Sequence, residues 1–155
     1  MIDVRLDKKT PIKILMADDD PDDKLLTKEA LEESRVINDL YFVDNGEELL
    51  AYLRGEGLYA DRDKYPFPSI VLLDLNMPKM DGREALATIK ADKDLRAVPV
   101  VILTTSKAEE DMLRSYDLGA ASYITKPVTF DALVELMKAL GRYWVEFVEL
   151  PGRYQ

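Results

Sequence analysis

Five short apolar runs, separated by stretches that carry helical start signals, constrain this chain more than any other feature. They are "IKILMA" (12–17), "LYFV" (40–43), "SIVLL" (69–73), "VPVVIL" (98–103) and "ASYIT" (121–125). The first, third and fourth are almost continuously Ile, Val and Leu, as strands buried on both faces must be. Between them, Asp20-Pro21 reads as an N-cap with proline at the first helical position. "SKAE" (106–109) reads as a capping box, with Ser106 and Glu109 each satisfying the other's backbone N–H. Asp44 or Asn45, and Thr129, are caps for two further helices. Strand alternating with helix predicts a parallel sheet with helices on both faces, because right-handed crossovers place them there. The fold class expected is α/β, a doubly wound (βα)5 fold on a five-stranded parallel sheet.

At 155 residues there is room for one core. Residues 1–11 read as a lead-in, 12–141 as the domain, and 142–155 as a C-terminal extension. Two segments exceed a minimal (βα)5 unit. "RGEGLYADRDKYPFP" (54–68) is a long connection before the third strand. The last helix keeps its apolar spacing through Leu133, Leu136, Met137, Leu140, Trp144 and Phe147, past the point where a sheet needs covering. Either this tail folds back on its own domain or it is a homodimer contact.

Composition removes several chemistries. Without Cys there is no disulfide framework, thiolate metal site or Cys nucleophile, and without His there is no Ser-His triad. Any metal must sit among oxygens. A net charge of -9 argues against nucleic acid, which requires clustered Lys and Arg, and against a polybasic membrane anchor. The apolar runs are too short to span a bilayer, and "MIDVRLDKKT" lacks a signal-peptide pattern, so the expected location is cytoplasmic.

In an open parallel sheet the strand C-termini share one edge, where ligands bind. After the first run come Asp18, Asp19 and Asp20; after the third, Asp74 and Asn76; after the fourth, Thr104, Thr105 and Ser106; after the fifth, Lys126 and Pro127. Unit charges 4 Å apart repel by about 4 kcal/mol at an effective dielectric near 20, so clustered aspartates call for a cation. Oxygen ligands alone suit Mg²⁺, or Mn²⁺. A carboxylate beside such an ion, with a Lys and a hydroxyl near, is equipped to attack a phosphoryl group and become an acyl phosphate. Asp20, Asp22 and Asp23 have a plainer explanation as cap and first-turn acids favoured by the helix dipole. Asp18 and Asp19 do not. Thr104 and Lys126 taken singly are ordinary turn and surface residues; their weight lies in the constellation.

"ADDD", "LLDLNMPKMDG", "LTTS" and "YITKP", in this order and spacing over roughly residues 12–141, resemble the receiver domain of two-component response regulators, which has a flavodoxin-like fold. "DDDPDD", "YLRGEGLYAD", "LTTSKAEED" and the "YW" and "ELP" of the tail resemble more narrowly the stand-alone regulators paired with bacterial phytochrome histidine kinases. The resemblance implies Asp74 as phosphoacceptor and Mg²⁺ held by Asp19 directly, Asp18 through water, Asp74 and the backbone carbonyl of Asn76. It implies that Thr104 follows the phosphoryl group, Lys126 pairs with it, Tyr123 turns inward as Thr104 moves, and the Lys126–Pro127 bond is cis. Such a chain receives phosphate from a kinase's phosphohistidine and signals through protein contacts; it is no enzyme beyond assisting its own phosphorylation and dephosphorylation. Two rivals stand beside it. A haloacid-dehalogenase-like Mg-dependent phosphatase would use Asp18-x-Asp20, but its metal-binding acids should come last in the chain. A receiver-like module working without phosphate should have lost the acceptor, the acidic pair or the Lys.

Overall fold

The computed structural model describes residues 11–36 and 38–143. Its elements run β1 (Ile12–Ala17), α1 (Pro21–Ser34), β2 (Asn38–Val43), α2 (Gly46–Arg54), β3 (Ile70–Asp74), α3 (Gly82–Ala91), β4 (Val100–Thr104), α4 (Lys107–Tyr116), β5 (Ser122–Thr125) and α5 (Phe130–Tyr143). The five strands are all parallel, in the order β2-β1-β3-β4-β5. This is the doubly wound sheet expected from the apolar runs.

Alternation along the buried strands builds the two layers. Leu15, Ala17, Val71, Leu73, Val100 and Ile102 face a cluster completed by α2, α3 and α4, through residues such as Leu49, Leu53, Leu86, Ile89 and Leu113. Ile14, Met16, Ile70, Leu72, Val101 and Leu103 face the opposite cluster, closed by Ala30 and Leu31 of α1 and Val134, Met137 and Leu140 of α5. Burying one Leu or Ile side chain contributes about 1.5–3 kcal/mol, so both helical layers are held chiefly by these contacts.

The boundaries differ where backbone chemistry overrides apolar pattern. β4 starts at Val100 because Val98 belongs to the preceding turn, its N–H bonded to the Leu95 carbonyl, and Pro99 has no N–H to give. β3 extends through Asp74, so this carboxylate is held by the ladder itself. Asn45 is the α2 cap, accepting from the Glu48 N–H at 2.9 Å. Thr129 caps α5 through the Ala132 N–H at 3.1 Å. The box at α4 is half made: the Glu109 N–H donates to Ser106 Oγ at 3.1 Å, while Glu109 Oε1 is buried without a hydrogen-bond partner.

The insert folds against α2. The Arg62 guanidinium donates to the carbonyls of Leu53 (2.7 Å) and Tyr52 (2.8 Å) in the last turn of α2 and to that of Tyr65 (3.1 Å) within the insert. Tyr52 lies among the rings of Tyr41, Tyr59 and Tyr65, with centroids 5.0–6.1 Å away. Trp144 and Phe147, on which the reading of the extension turned, lie outside the described residues.

Candidate functional site

Register brings the acidic residues to one level. Ala17 pairs with Leu73, so Asp18 and Asp74 come next on neighbouring strands, where the sheet order switches direction between β1 and β3. Lateral hydrogen bonds continue past the ladder and pin the same edge. The N–H groups of Asp18, Leu75 and Lys126 donate to the carbonyls of Val43, Leu103 and Thr104 at 3.1, 3.0 and 2.8 Å.

The loop after Asp74 is built around close approaches. Leu75 and Met77 are buried, Lys79 takes a left-handed φ of 66°, and Asp81 caps α3 through the Glu84 N–H at 3.0 Å. A Cβ on Gly82 would stand 2.8 Å from the Asp74 carbonyl oxygen and 2.8 Å from Leu75 Cα. Only glycine lets α3 begin this near Asp74.

Three carboxylates converge here, from Asp18, Asp23 and Asp74, offering oxygens within 4.8 Å of one another. Lys126 Nζ lies among them, 2.8 Å from Asp23, 3.3 Å from Asp74 and 3.5 Å from Asp18. Asp18 is fully buried and Asp74 nearly so. Burial pushes the Asp18 carboxyl up to about 7, against the Asp20 N–H and the Lys126 charge that favour its ionised form. Burial likewise raises Asp74, opposed by Lys126 and by the Asn76 N–H bond at 3.2 Å. Burial alone would lower the Lys126 ammonium, but its bond to Asp23 and the charges of Asp74 and Asp18 hold it above the ordinary range. Three carboxylates around one ammonium leave negative charge uncompensated in a confined volume. A divalent cation among oxygen ligands fits that donor set.

Asp23 joins the cluster although the sequence offers it only as a first-turn dipole acid. Its only local signal is its place one turn into α1, just after the Asp20 cap. That Lys126 meets it follows from sheet order. Asp19, by contrast, has an exposed side chain and is not among the three carboxylates that converge. Asn76 is also exposed.

Thr104 is buried beside β5, with its hydroxyl donating to the Ser106 carbonyl at 3.1 Å, back along its own loop. Tyr123 is also inside. Its hydroxyl accepts from the N–H groups of Leu118 (3.1 Å) and Ala120 (3.3 Å), which satisfy it in the interior. The inward turn expected of this ring therefore has no outward starting position here. No peptide bond is cis among the described residues, so the expected cis Lys126–Pro127 bond is trans. Trans is the form X-Pro bonds favour by about 0.5–1 kcal/mol, and Lys126 reaches all three carboxylates with it.

No helix among the described residues is long and apolar enough to cross a membrane. The acids stand at the first and third strands and the lysine at the fifth, with Asp18 beside Asp74 on the neighbouring strand. This order is foreign to the phosphatase alternative.

Comparison with known proteins agrees with the geometry. Residues 14–138 match the family model described as the response regulator receiver domain. The response regulator Rcp1 of Synechocystis sp. is 39% identical over 147 residues, covering 94% of this chain and 98% of that protein. The phosphorylated cyanobacterial phytochrome response regulator RcpA is 42% identical with a TM-score of 0.78, covering 91% and 99% of the two chains. The Mn²⁺-bound form of Rcp1 superposes with a TM-score of 0.75 at 39% identity, covering 91% of this chain and 99% of the other. With its acidic cluster and lysine at the C-terminal edge of a β2-β1-β3-β4-β5 sheet, the chain belongs to the response regulator receiver domain family.

Proposed function

We propose that this chain is the response regulator of a two-component phosphorelay, taking a phosphoryl group onto Asp74 and passing the signal on through protein contacts. The observation that carries the reading is Lys126 Nζ at 3.3 Å from a nearly buried Asp74, between two further carboxylates at the sheet edge. An Asp74 oxygen attacks phosphorus while the bond from phosphorus to the donor nitrogen of a kinase phosphohistidine breaks, its electron pair leaving with the nitrogen. Lys126 pairs with the incoming phosphoryl oxygens, giving up part of its contact with Asp23. Thr104 exchanges the Ser106 carbonyl for a phosphoryl oxygen as acceptor. Tyr123 anchors the α4–β5 loop near that change. A divalent cation, when bound, supplies positive charge toward the same oxygens. Mg²⁺ is the ion proposed, held by Asp18, Asp19 and Asp74 with the Asn76 carbonyl; the Mn²⁺-bound relative supports a divalent ion in this family.

The phosphoryl donor proposed is a histidine kinase of the phytochrome class, a reading supported by similarity to RcpA and Rcp1. Intact-mass measurement of the native chain after incubation with acetyl phosphate and Mg²⁺ tests the core of the reading. One added phosphoryl group, labile to hydroxylamine and absent in EDTA, is expected. A stable adduct, or labelling indifferent to EDTA, would sink it.

The extension 142–155 is proposed as a dimer contact, on the apolar spacing that runs from Leu136 and Leu140 to Trp144 and Phe147. Sedimentation of the full chain should give a dimer that Trp144→Ala weakens at least tenfold, roughly the loss of one buried aromatic anchor. A native chain that sediments as a monomer would rule the contact out.

A further inference from the structure

The first turn of α4 carries a network that the phosphoacceptor chemistry leaves unused. Glu110 is buried, with Oε1 accepting from both the N–H (2.8 Å) and the hydroxyl (2.9 Å) of Thr125. Its Oε2 accepts from Lys107 Nζ at 3.0 Å and Arg114 Nε at 3.2 Å. Arg114 in turn donates to the Tyr123 carbonyl. A carboxylate on α4 thus grips the last residue of β5, immediately before Lys126.

The same residue meets the site from the other side. The Glu110 N–H donates to the Ser106 carbonyl at 3.0 Å, and that carbonyl is also the acceptor of the Thr104 hydroxyl. Thr104 and Thr125 are paired in register, and the Lys126 N–H donates to the Thr104 carbonyl. A closed ring results. It runs from Thr104 through Ser106 to Glu110, across to Thr125, along to Lys126 and back to Thr104. Both residues proposed to read the phosphoryl group belong to it. The ring closes only while the Thr104 hydroxyl donates to the Ser106 carbonyl.

We infer that Glu110 is a positioning residue that clamps α4 to β5 in the arrangement without phosphate, and so opposes the turn of Thr104 toward a phosphoryl group on Asp74. The inference rests on the phosphoacceptor reading. The carboxylate is held ionised, its pKa about 2: burial opposes ionisation, but the bonds from Lys107, Thr125 and Arg114 outweigh it. The clamp is therefore fully charged at neutral pH. A ligand that favours one of two arrangements binds more tightly when the other is weakened, by the factor through which their equilibrium shifts.

Beryllofluoride with Mg²⁺, a stable mimic of the phosphoryl group on an aspartate, is the probe, titrated into the full chain. Glu110→Gln should bind it about five- to tenfold more tightly than the native chain, the lower range of typical coupling factors. Thr125→Val, which keeps the charges and removes one bond, should move affinity the same way by roughly two- to threefold. Glu110→Gln combined with Thr125→Val should add little to Glu110→Gln alone, since the two share one contact. Unchanged or weaker binding in Glu110→Gln, with its fold verified by circular dichroism, would overturn the inference, because a merely structural residue lowers the melting temperature without raising this affinity. Should Glu110→Gln fail to fold, Thr125→Val decides by the same criterion. A native chain as inert to beryllofluoride as Asp74→Asn would remove the phosphoacceptor reading, and the clamp with it.

Discussion

Asp74→Asn takes up no phosphoryl group from acetyl phosphate, a loss beyond about 10³-fold in labelling rate. An amide oxygen is far less nucleophilic than a carboxylate, and here its place in the ladder at the end of β3 keeps it where the carboxylate stood. The variant also isolates chemistry from fold. Asn matches Asp in volume and can still accept the Asn76 N–H, now 3.2 Å away. It removes one of three crowded negative charges, so its melting temperature should equal or exceed that of the native chain. Intact mass and a thermal melt together are decisive. A labile adduct persisting in Asp74→Asn would transfer the nucleophile's role to Asp18 or Asp23, whose oxygens lie in the same cluster.

Asp18→Asn should stabilise the cation-free chain above neutral pH while abolishing most of its response to divalent ions. Asp18 has an exposure of 0%, and in the folded chain burial pushes its carboxyl from the ordinary value of 3.8 up to about 7. The sign follows from proton binding. Between those two pH values the folded state holds a proton that the unfolded chain has lost, so cation-free stability falls as pH rises from about 4 to 7. The ceiling on that loss is about 4 kcal/mol, and relaxation and the coupling to Lys126 reduce the expected effect to roughly 1–3 kcal/mol. In EDTA at pH 8, Asp18→Asn should therefore melt about 3–8 °C above the native chain, with the difference vanishing near pH 4. Its stabilisation by Mg²⁺ should require at least tenfold more ion, on the order of what loss of one supporting ligand costs. A lower melting temperature in EDTA at pH 8 would mean that the Asp20 N–H bond at 2.9 Å requires a charged acceptor, and the buried-charge argument would fail.

Both predictions concern residues legible from local pattern. An apolar run that ends in a carboxylate and is followed by Asn, Met-Pro and Asp-Gly marks Asp74 without any structure. The acidic pair after the first run, the hydroxyls after the fourth and the lysine after the fifth carry the same kind of signal. Their common location needs only the rule that parallel strands share a C-terminal edge. Asp23 was not legible, because its position on α1 has a sufficient explanation in the helix dipole. The rotation of α1 against α5 and the placement of β5 bring it to 2.8 Å from Lys126. Asp19 shows the converse, since adjacency to Asp18 in sequence does not bring its side chain into the converging set.

Glu110 makes the distinction sharpest. In the sequence it is one of several acids on a charged helix. Its partners Thr125 and Arg114 are unremarkable, and Ser106–Glu109 draws the attention as a capping box that the structure only half completes. What the sequence by itself determined is the fold class, the order of strand and helix, and the residues at the strand ends, because hydrophobic periodicity and turn chemistry act over a few neighbours and can be read there. The tertiary structure alone decided which carboxylates surround Lys126, that Tyr123 lies inside, and that Glu110 closes a ring between Thr104 and Lys126. Those contacts join residues on different elements through sheet order, register and helix rotation. Burial then gave them their energetic weight by raising Asp18, while the bonds from Lys107, Thr125 and Arg114 hold the Glu110 charge in place against burial.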